Sequence, residues 1–313
     1  MIVGNNQLMR SNVVSIVGKY QSYLIYNSYL YRSDDFGSSF TAVTSLGTKQ
    51  WFSVHISLSG QYWIATAQGS YIYVSSNYGV DWTAKATSQY YYVGSVSQDG
   101  KYQLANVYGA YLWMSTDYGT TWAEQTSFGI KNWYASALSE TGQYQTTCAY
   151  NGYVYISSNY GTSRTELTSF GIKAFRGISM SKSGQYQSLI VLSGYIYVSS
   201  DYGSTWAEKT SVGADAFNCI SISETGQYQT IVSTNATGII YVSNDYGVTW
   251  SKYTGIINKN FYWVSMDNTG ENQIVCTQGS ATGYIYKSND FGVTWTQETS
   301  FGADDKRAVA INK

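Results

Sequence analysis

One turn pattern, Ser-x-Asp/Asn-x-Gly, occurs seven times along this chain and usually continues as x-Thr-Trp. The copies are 42, 40, 42, 42, 44 and 45 residues apart and begin at Ser33, Ser75, Ser115, Ser157, Ser199, Ser243 and Ser288. A period in this range is typical of four-stranded β units, and such units arranged around an axis form a β-propeller. The sequence therefore predicts an all-β fold, a seven-bladed β-propeller of four-stranded antiparallel blades.

The repeat covers nearly all 313 residues, which predicts one domain over residues 1–313 rather than two. The predicted repeats are approximately 9–50, 51–90, 91–132, 133–174, 175–216, 217–260 and 261–305, followed by a closing strand at 306–313. Residues 12–16 have the same strand pattern as the last segment, so two segments compete for one position in the first blade. We expect the C-terminal segment to take it, because this pairing removes an open sheet edge.

Residues 175–213 show how one blade is encoded. Ile178 and Met180 alternate with small serines, the period of two expected for a strand with one bulky face. Gly184 and Gly194 mark the turns that follow the first and second strands. We name the four strands of a blade A to D, and the Ser-x-Asp/Asn-x-Gly turn then joins strands C and D.

The segment Ser199–Trp206 resembles the Asp box of the bacterial neuraminidase repeat (BNR) family, which also occurs in sortilin-type receptors and photosystem assembly factors. In this turn the acidic or amide residue is expected to accept backbone N–H groups, while tryptophan packs between sheets. Phe40 and Arg164 replace the tryptophan in two copies, and Arg164 either extends outward or marks a local binding feature. The predicted structural residues of the turns are Asp35, Asn77, Asp117, Asn159, Asp201, Asp245 and Asp290.

Composition excludes several classes of partner. The net charge is −1 and only 12% of residues are charged, so there is no basic field for nucleic acid and no polybasic face for a membrane. No apolar stretch approaches the ~20 residues that span a bilayer. The N-terminal residues lack the pattern of a secretory signal. A signal could already have been removed, so the localisation of the protein stays open. A monomer is expected rather than an oligomer.

Catalysis is not predicted. His55 is the only histidine, and Cys148, Cys219 and Cys276 occupy strand positions typical of small hydrophobic residues, so no metal or cofactor site is expected. The resemblance to sialidases would imply three converging arginines, one of them in an Arg-Ile-Pro motif. This chain has no proline, its five arginines are not placed as a triad, and no pair of carboxylates has a spacing suited to acid–base chemistry.

A ligand is expected on the face that carries the D-to-A and B-to-C loops. Six of the D-to-A loops end in an aromatic residue, and a lysine precedes several of them. Such rings could stack on sugars or anchor a protein loop, or they could simply pack between blades. The candidate ligand-binding residues are Trp51, Tyr91, Trp133, Phe175, Phe217, Phe261, Lys131, Lys173 and Asn235. Asn235 represents the longer B-to-C loops of the sixth and seventh blades.

Two functions follow from this pattern. The first is a non-catalytic propeller that binds neutral glycans multivalently, since similar blades would supply repeated weak sites. The alternative is a scaffold for protein–protein interaction or assembly, in which one face docks a single protein partner. Several sites per chain would support the glycan function, and a one-to-one complex would support the scaffold.

Overall fold

The computed structural model of the chain describes residues 19–24, 27–35, 39–234, 238–256, 259–277 and 284–298. These residues form 27 β-strands and four single-turn 3-10 helices. Every strand pair is antiparallel, which confirms the predicted all-β class. No helix in the described ranges has the length and apolar character needed to cross a lipid bilayer.

The strands fall into seven consecutive units, one for each copy of the turn. Unit 1 shows strands B to D, namely β1 (Gln21–Leu24), β2 (Leu30–Ser33) and β3 (Thr41–Ala42). Unit 2 contains β4 (Trp51–Ile56), β5 (Trp63–Ala67), β6 (Ser70–Ser75) and β7 (Thr83–Gln89). Unit 3 contains β8 (Tyr91–Val96), β9 (Gln103–Ala110), β10 (Trp113–Ser115) and β11 (Ala123–Glu124). Unit 4 contains β12 (Lys131–Leu138), β13 (Gln145–Gly152), β14 (Val154–Ser157) and β15 (Thr165–Leu167).

The remaining units repeat the same order. Unit 5 contains β16 (Lys173–Met180), β17 (Gln187–Gly194), β18 (Ile196–Ser199) and β19 (Ala207–Glu208). Unit 6 contains β20 (Asp215–Ile222), β21 (Gln229–Ser233), β22 (Ile240–Ser243) and β23 (Ser251–Tyr253). Unit 7 contains β24 (Phe261–Met266), β25 (Gln273–Thr277), β26 (Ile285–Ser288) and β27 (Thr296–Glu298). The 3-10 helices join strands D and A at Thr44–Leu46, Thr126–Phe128, Thr168–Phe170 and Thr210–Val212.

Each described strand A carries a β-bulge near its start. In unit 5, for example, Phe175 pairs with Val191 but Gly177 pairs with Ile190, so Arg176 has no residue opposite it. The same shift occurs in units 2, 4, 6 and 7, and in unit 3 the irregularity spans Tyr91 to Gly94. A bulge re-aims the side chain of the extra residue. One residue per unit is therefore turned away from the regular alternation of the strand.

Backbone hydrogen bonds join successive units at their A-to-B turns. Lys182 N donates to Glu224 O at 2.9 Å, and Glu140 N donates to Lys182 O at the same distance. Equivalent bonds connect Leu58 to Gln98 at 2.8 Å and Glu224 to Asn268 at 2.9 Å. The Lys182 ammonium also lies 3.3 Å from a Glu140 carboxylate oxygen and 3.5 Å from one of Glu224. This row of turns fixes the spacing between units at one end of the A strands.

Aromatic stacking joins the same units on their outer side. The tyrosine just before strand B of one unit stacks on the aromatic residue of the next unit's Ser-x-Asp/Asn-x-Gly turn. The six pairs are Tyr20–Tyr78, Tyr62–Tyr118, Tyr102–Tyr160, Tyr144–Tyr202, Tyr186–Tyr246 and Tyr228–Phe291, with ring centroids 4.3 to 5.1 Å apart. Eleven of the 33 tyrosines in the chain serve this one purpose.

The turn between strands C and D is a network of local hydrogen bonds. In unit 5, Asp201 Oδ1 accepts from the Thr205 backbone N–H at 2.8 Å, and Asp201 Oδ2 accepts from the Thr205 hydroxyl at 2.6 Å. The Ser199 hydroxyl accepts from Gly203 N at 2.9 Å. Trp206 Nε1 closes the turn by donating to Gly203 O at 2.8 Å. These side chains therefore make their hydrogen bonds within the turn itself.

Arg164 occupies the tryptophan position in unit 4 and points inward. Its Nη2 donates to Gln145 Oε1 at 2.5 Å, and its Cζ lies 5.4 Å from the Phe128 ring centroid. Burial lowers the pKa of Arg164 to about 10. The guanidinium therefore replaces the indole as a packing group between units, and it does not extend outward into solvent.

Acid should destabilise the fold partly through these turns. Desolvation raises the pKa of Asp117, Asp201, Asp245 and Asp290, but hydrogen bonds from the turn outweigh it and hold each pKa below its usual value. A carboxylate with a lower pKa when folded stabilises the fold above its unfolded pKa, and this contribution is lost as the pH falls through the folded pKa.

Replacing these four aspartates by asparagine should therefore flatten the loss of stability on acidification between about pH 5 and pH 2. Asn159 shows that the turn tolerates the change, because its Oδ1 accepts from Ser163 N at 3.0 Å. Urea unfolding at a series of pH values measures the effect. If the variant lost stability on acidification as steeply as the parent protein, these carboxylates would not control the acid sensitivity.

The three cysteines are buried within the sheets. Cys148, Cys219 and Cys276 are each less than 10% exposed. Burial raises the pKa of Cys148 and Cys219 to about 12. They pack as small hydrophobic residues, as the sequence predicted.

The predicted closure of the ring lies outside the described residues. Both competing segments, residues 12–16 and 306–313, are among those that the structure does not describe. The number of blades and the identity of the closing strand therefore stay predictions.

Candidate binding site

The A strands of units 2 to 7 line one cavity of about 340 Å³. One end of the cavity lies at the bulges, on the face of the D-to-A and B-to-C loops, and the other lies at the A-to-B turns. Six titratable side chains occur among its described lining residues. Arg176 and Asp267 are charged at neutral pH, and the others are His55, Tyr134, Cys219 and Tyr262. The chemistry of the cavity therefore depends on where these groups lie.

The six aromatic residues predicted to contact a ligand do not reach this cavity or the surface. Trp51, Tyr91, Trp133, Phe175, Phe217 and Phe261 all have 0% exposure. Each begins the regular ladder of its A strand and packs into the core; Trp51 Nε1, for example, donates to Ser28 O at 3.0 Å. A ring without accessible surface cannot stack on a ligand. The expectation that these six residues contact a ligand is therefore corrected: they pack in the core.

The residue that follows each of these rings lies in the bulge, and in unit 3 the bulge also includes Val93. We call these six residues the mouth ring: Phe52, Tyr92, Tyr134, Arg176, Asn218 and Tyr262. Four of them, Tyr134, Arg176, Asn218 and Tyr262, line the cavity. Phe52 continues the ring because its centroid lies 4.8 Å from that of Tyr92, which in turn lies 5.2 Å from Tyr134.

Sequence reasoning missed the mouth ring because a strict period of two assigns these residues to the wrong side of the strand. A signal was present in the repeats themselves. The preceding position is aromatic in all six units, whereas this position changes from aromatic to arginine to asparagine. Variation at one position among otherwise similar repeats indicates a residue that packing does not specify.

Arg176 is held between aromatic rings at the mouth. Its Cζ lies 5.4 Å from the Tyr134 ring centroid and 5.6 Å from that of Tyr150, and its Nη1 donates to Tyr134 Oη. Within the described part of the chain, its Nε and Nη2 have no hydrogen-bond partner. The guanidinium is thus oriented by its neighbours while part of its donor capacity is unused.

The mouth carries a net positive charge. Arg176 is the only lysine or arginine among the described residues that line the cavity. His55 is neutral near pH 7, because desolvation lowers its pKa to about 4. Asp267 belongs to the opposite end, where its carboxylate accepts from Gly270 N at 2.7 Å and Asn272 Nδ2 at 2.6 Å. No acidic group in the described lining therefore neutralises Arg176.

The two candidate lysines lie outside the mouth ring. Lys131 Nζ lies 5.2 Å from the Tyr155 ring centroid, and Lys173 Nζ lies 5.6 Å from that of Tyr197. Lys131 also lines a separate surface depression beside the exposed side chains of Ile130 and Ile172. Asn235 falls outside the described residues. The structure therefore does not bring the predicted ligand residues together at one site.

Comparison with known proteins begins with the turns. A profile of the BNR-Asp box repeat matches residues 30–43 and 196–210, the segments that contain the turns at Ser33 and Ser199. The chain carries BNR-Asp box repeats. Asp35 and Asp201 lie in the matched segments, and the other five turns have the same Ser-x-Asp/Asn-x-Gly pattern. A search of curated proteins found no match.

Solved structures similar to this Asp-box protein include β-propellers. The structure titled YCF48 bound to D1 peptide has 13% identity and a TM-score of 0.66, over 91% of this chain and 92% of that one. The Cps50 (Swd1) β-propeller domain of Myceliophteria thermophila has 12% identity and a TM-score of 0.64, over 85% and 91%. At such identities the likeness concerns the fold alone, which is that of a β-propeller.

An enzyme also shares this fold. The GH74 enzyme of Niastella koreensis has 16% identity and a TM-score of 0.53 over 96% of this chain. The Asp-box chain spans only 58% of the length of that enzyme. The fold therefore occurs in both enzymes and binding proteins, and the site must decide between them.

Proposed function

We propose that this chain is a single seven-bladed, non-catalytic binding propeller whose mouth ring docks one carboxylate-bearing peptide segment of a protein partner. The observation that carries the proposal is Arg176, oriented between Tyr134 and Tyr150 with donors unused at the mouth of the cavity. This is the scaffold alternative predicted from the sequence, with the mouth ring as its proposed site. The multivalent glycan function loses its support, because the six rings assigned to it are fully buried.

A carboxylate is the ligand group that fits Arg176 best. Guanidinium presents a planar set of donors that matches a carboxylate, and a charge-assisted bond of this kind is stronger than one between neutral groups. The flanking tyrosine rings limit access of water to the ion pair and strengthen it. A side-chain or C-terminal carboxylate of a peptide supplies this group.

The size and asymmetry of the mouth favour one peptide per chain. A volume of about 340 Å³ accommodates a few side chains. The mouth ring differs from unit to unit, so its six positions form one composite site rather than six equivalent ones. YCF48 with its D1 peptide is an example of a protein of this fold in complex with a peptide.

The groups at the cavity also favour binding over hydrolysis. Glycoside hydrolysis generally uses two carboxyl groups that flank the scissile bond. Asp267 is the only carboxylate among the described lining residues, and its oxygens accept hydrogen bonds within their own turn. This arrangement supports a non-catalytic role.

An array of peptides with free C-terminal carboxylates, paired with the same peptides as C-terminal amides, tests the proposal. Acidic side chains should be varied in both sets, and a glycan array should be probed in parallel. We expect peptides with a carboxylate to bind one to one by calorimetry. Several equivalent glycan sites per chain, with no bound peptide, would return the multivalent glycan function and overturn this one.

Arg176→Gln should weaken the binding of such a peptide by roughly 30-fold or more, because the partner's carboxylate loses its charged donor in a partly buried site. Arg176→Lys should recover only part of the loss, since an ammonium lacks the planar geometry. Lys173→Gln is the matched control, because Lys173 lies over Tyr197 and away from the mouth. Equal affinities for the parent and Arg176→Gln would disprove the role of Arg176.

A further inference from the structure

Five junctions between units place two tyrosines face to face. The ring centroids are 4.6 Å apart in Tyr20–Tyr78, 4.7 Å in Tyr62–Tyr118, 5.1 Å in Tyr102–Tyr160, 4.4 Å in Tyr144–Tyr202 and 4.5 Å in Tyr186–Tyr246. The angles between ring planes are 27° to 34°. The partners of each pair are 56 to 60 residues apart in sequence, and each pair spans two neighbouring units.

One member of every pair is accessible to solvent. The Asp-box tyrosines have exposures of 38% for Tyr78, 41% for Tyr118, 40% for Tyr160, 39% for Tyr202 and 37% for Tyr246. Their partners just before strand B are half-buried. An oxidant in solution can therefore reach a ring whose immediate neighbour is a second phenol.

We propose that these five pairs are oxidative modification sites, where a one-electron oxidant of the peroxidase class links neighbouring units through dityrosine. Each phenol gives up one electron and one proton to become a phenoxyl radical. The two radicals couple through ortho carbons, and the ring hydrogens at those carbons move to the oxygens as the phenols re-form. Hydrogen peroxide accepts the two electrons and two protons and becomes two molecules of water.

Proximity favours these pairs over tyrosines that have no ring partner. Coupling needs two rings in contact, and an arrangement that holds them together replaces a bimolecular encounter with a local one. Their centroid separation is close to that of two phenols joined through ortho carbons. Tyr90 has an exposure of 55%, yet within the described part of the chain it has no ring partner. It is accessible to the oxidant but has nothing beside it with which to couple.

The links would convert noncovalent junctions into covalent ones. Five bonds would join units 1 to 6 in sequence, each closing a loop of more than fifty residues. A cross-link of this kind restricts the unfolded chain and thereby favours the folded state. The junction between units 6 and 7 would stay open, because Phe291 lacks the phenol oxygen needed to couple with Tyr228.

The test is oxidation of the dilute purified chain with a peroxidase and limiting hydrogen peroxide. Dityrosine fluorescence measures the yield, and mass spectrometry of proteolytic peptides assigns the links. We expect cross-linked peptides joining Tyr102 to Tyr160 and Tyr144 to Tyr202 in a product that stays the size of the parent. Links mainly between chains, or links that join Tyr90 to other sites, would overturn the proposal.

Three variants sharpen the result. Tyr160→Phe keeps the stacked ring but should remove the Tyr102 link and leave the Tyr144–Tyr202 link unchanged. Phe291→Tyr should add a new link to Tyr228, because those rings already lie 4.3 Å apart. Tyr90→Phe should leave the yield unchanged. If Phe291→Tyr folds like the parent by circular dichroism and adds no link, stacking does not determine the reaction and the proposal fails.

Discussion

Trp133→Ala is expected to lower the free energy of unfolding by about 3–5 kcal/mol, the cost of removing a large buried aromatic side chain. Trp133 has 0% exposure and lies at the junction of units 3 and 4. It packs in one cluster with Leu104 and Met114 of unit 3 and Tyr155 of unit 4. The alanine would leave a cavity that both sheets border. Urea unfolding followed by tryptophan fluorescence or circular dichroism measures the change.

Two matched variants identify the cause. Trp133→Phe keeps most of the ring and removes an indole N–H that has no hydrogen-bond partner in the described structure, so its cost should be much smaller. Trp122→Ala removes an Asp-box tryptophan that is only half-buried and should also cost less. If Trp122→Ala were the more damaging change, the Asp boxes would stabilise the fold more than the buried D-to-A aromatics.

Gly142→Ala is expected to lower the free energy of unfolding by roughly 2–4 kcal/mol, from backbone strain together with overpacking. Gly142 has φ +75°, which disfavours any residue with a Cβ. An added Cβ would also lie 2.5 Å from Cδ2 and 2.7 Å from Cγ of Tyr102 in the preceding unit. Those ring atoms are close to the side-chain stem, and Tyr102 is fixed further by its stack on Tyr160.

Gly171→Ala separates the two causes. Gly171 has a similar φ of +66°, but no heavy atom lies within 4 Å of the position its Cβ would take. Its ψ of −178° lies in a region that is almost restricted to glycine, so this variant should cost backbone strain alone, roughly 1–3 kcal/mol. The difference between the two variants, measured by urea unfolding, reports the contact between units. Equal losses would mean that Tyr102 moves aside freely and does not hold the junction.

Much of the fold could be predicted from the repeated turn alone. The spacing of seven copies predicts the number of strands per unit, and the alternation of Ile178 and Met180 with serines places strand A correctly. Local chemistry is sufficient there, because turn residues and strand periodicity act over a few residues. The tyrosine stacks were not predicted, since their partners are more than fifty residues apart in sequence.

The aromatic residues that end the D-to-A loops were expected to contact a ligand, but the structure buries them. Phe175 and Arg176 are adjacent in sequence, and the former is buried while the latter lines the cavity. The bulge that exchanges their directions depends on how strand A pairs with strand B, and a strict period of two read along strand A alone does not include it. Because the bulge moves the alternation of the strand by one residue, the buried aromatic residue was predicted to contact the ligand in place of its neighbour.

The bulge also assigns packing between the sheets and contact with the cavity to two different side chains. In units 4 to 7, the ladder residue before the bulge is fully buried between the sheets, and the residue at the bulge lines the cavity. Substitutions at the less buried of these positions, Arg176 and Asn218, can therefore accumulate at small cost to the stability of the fold. A lineage of such chains could acquire new partners by changing these positions while the sheets stay the same. The repeated strands keep the fold constant, and the bulges provide positions at which the sequence can vary.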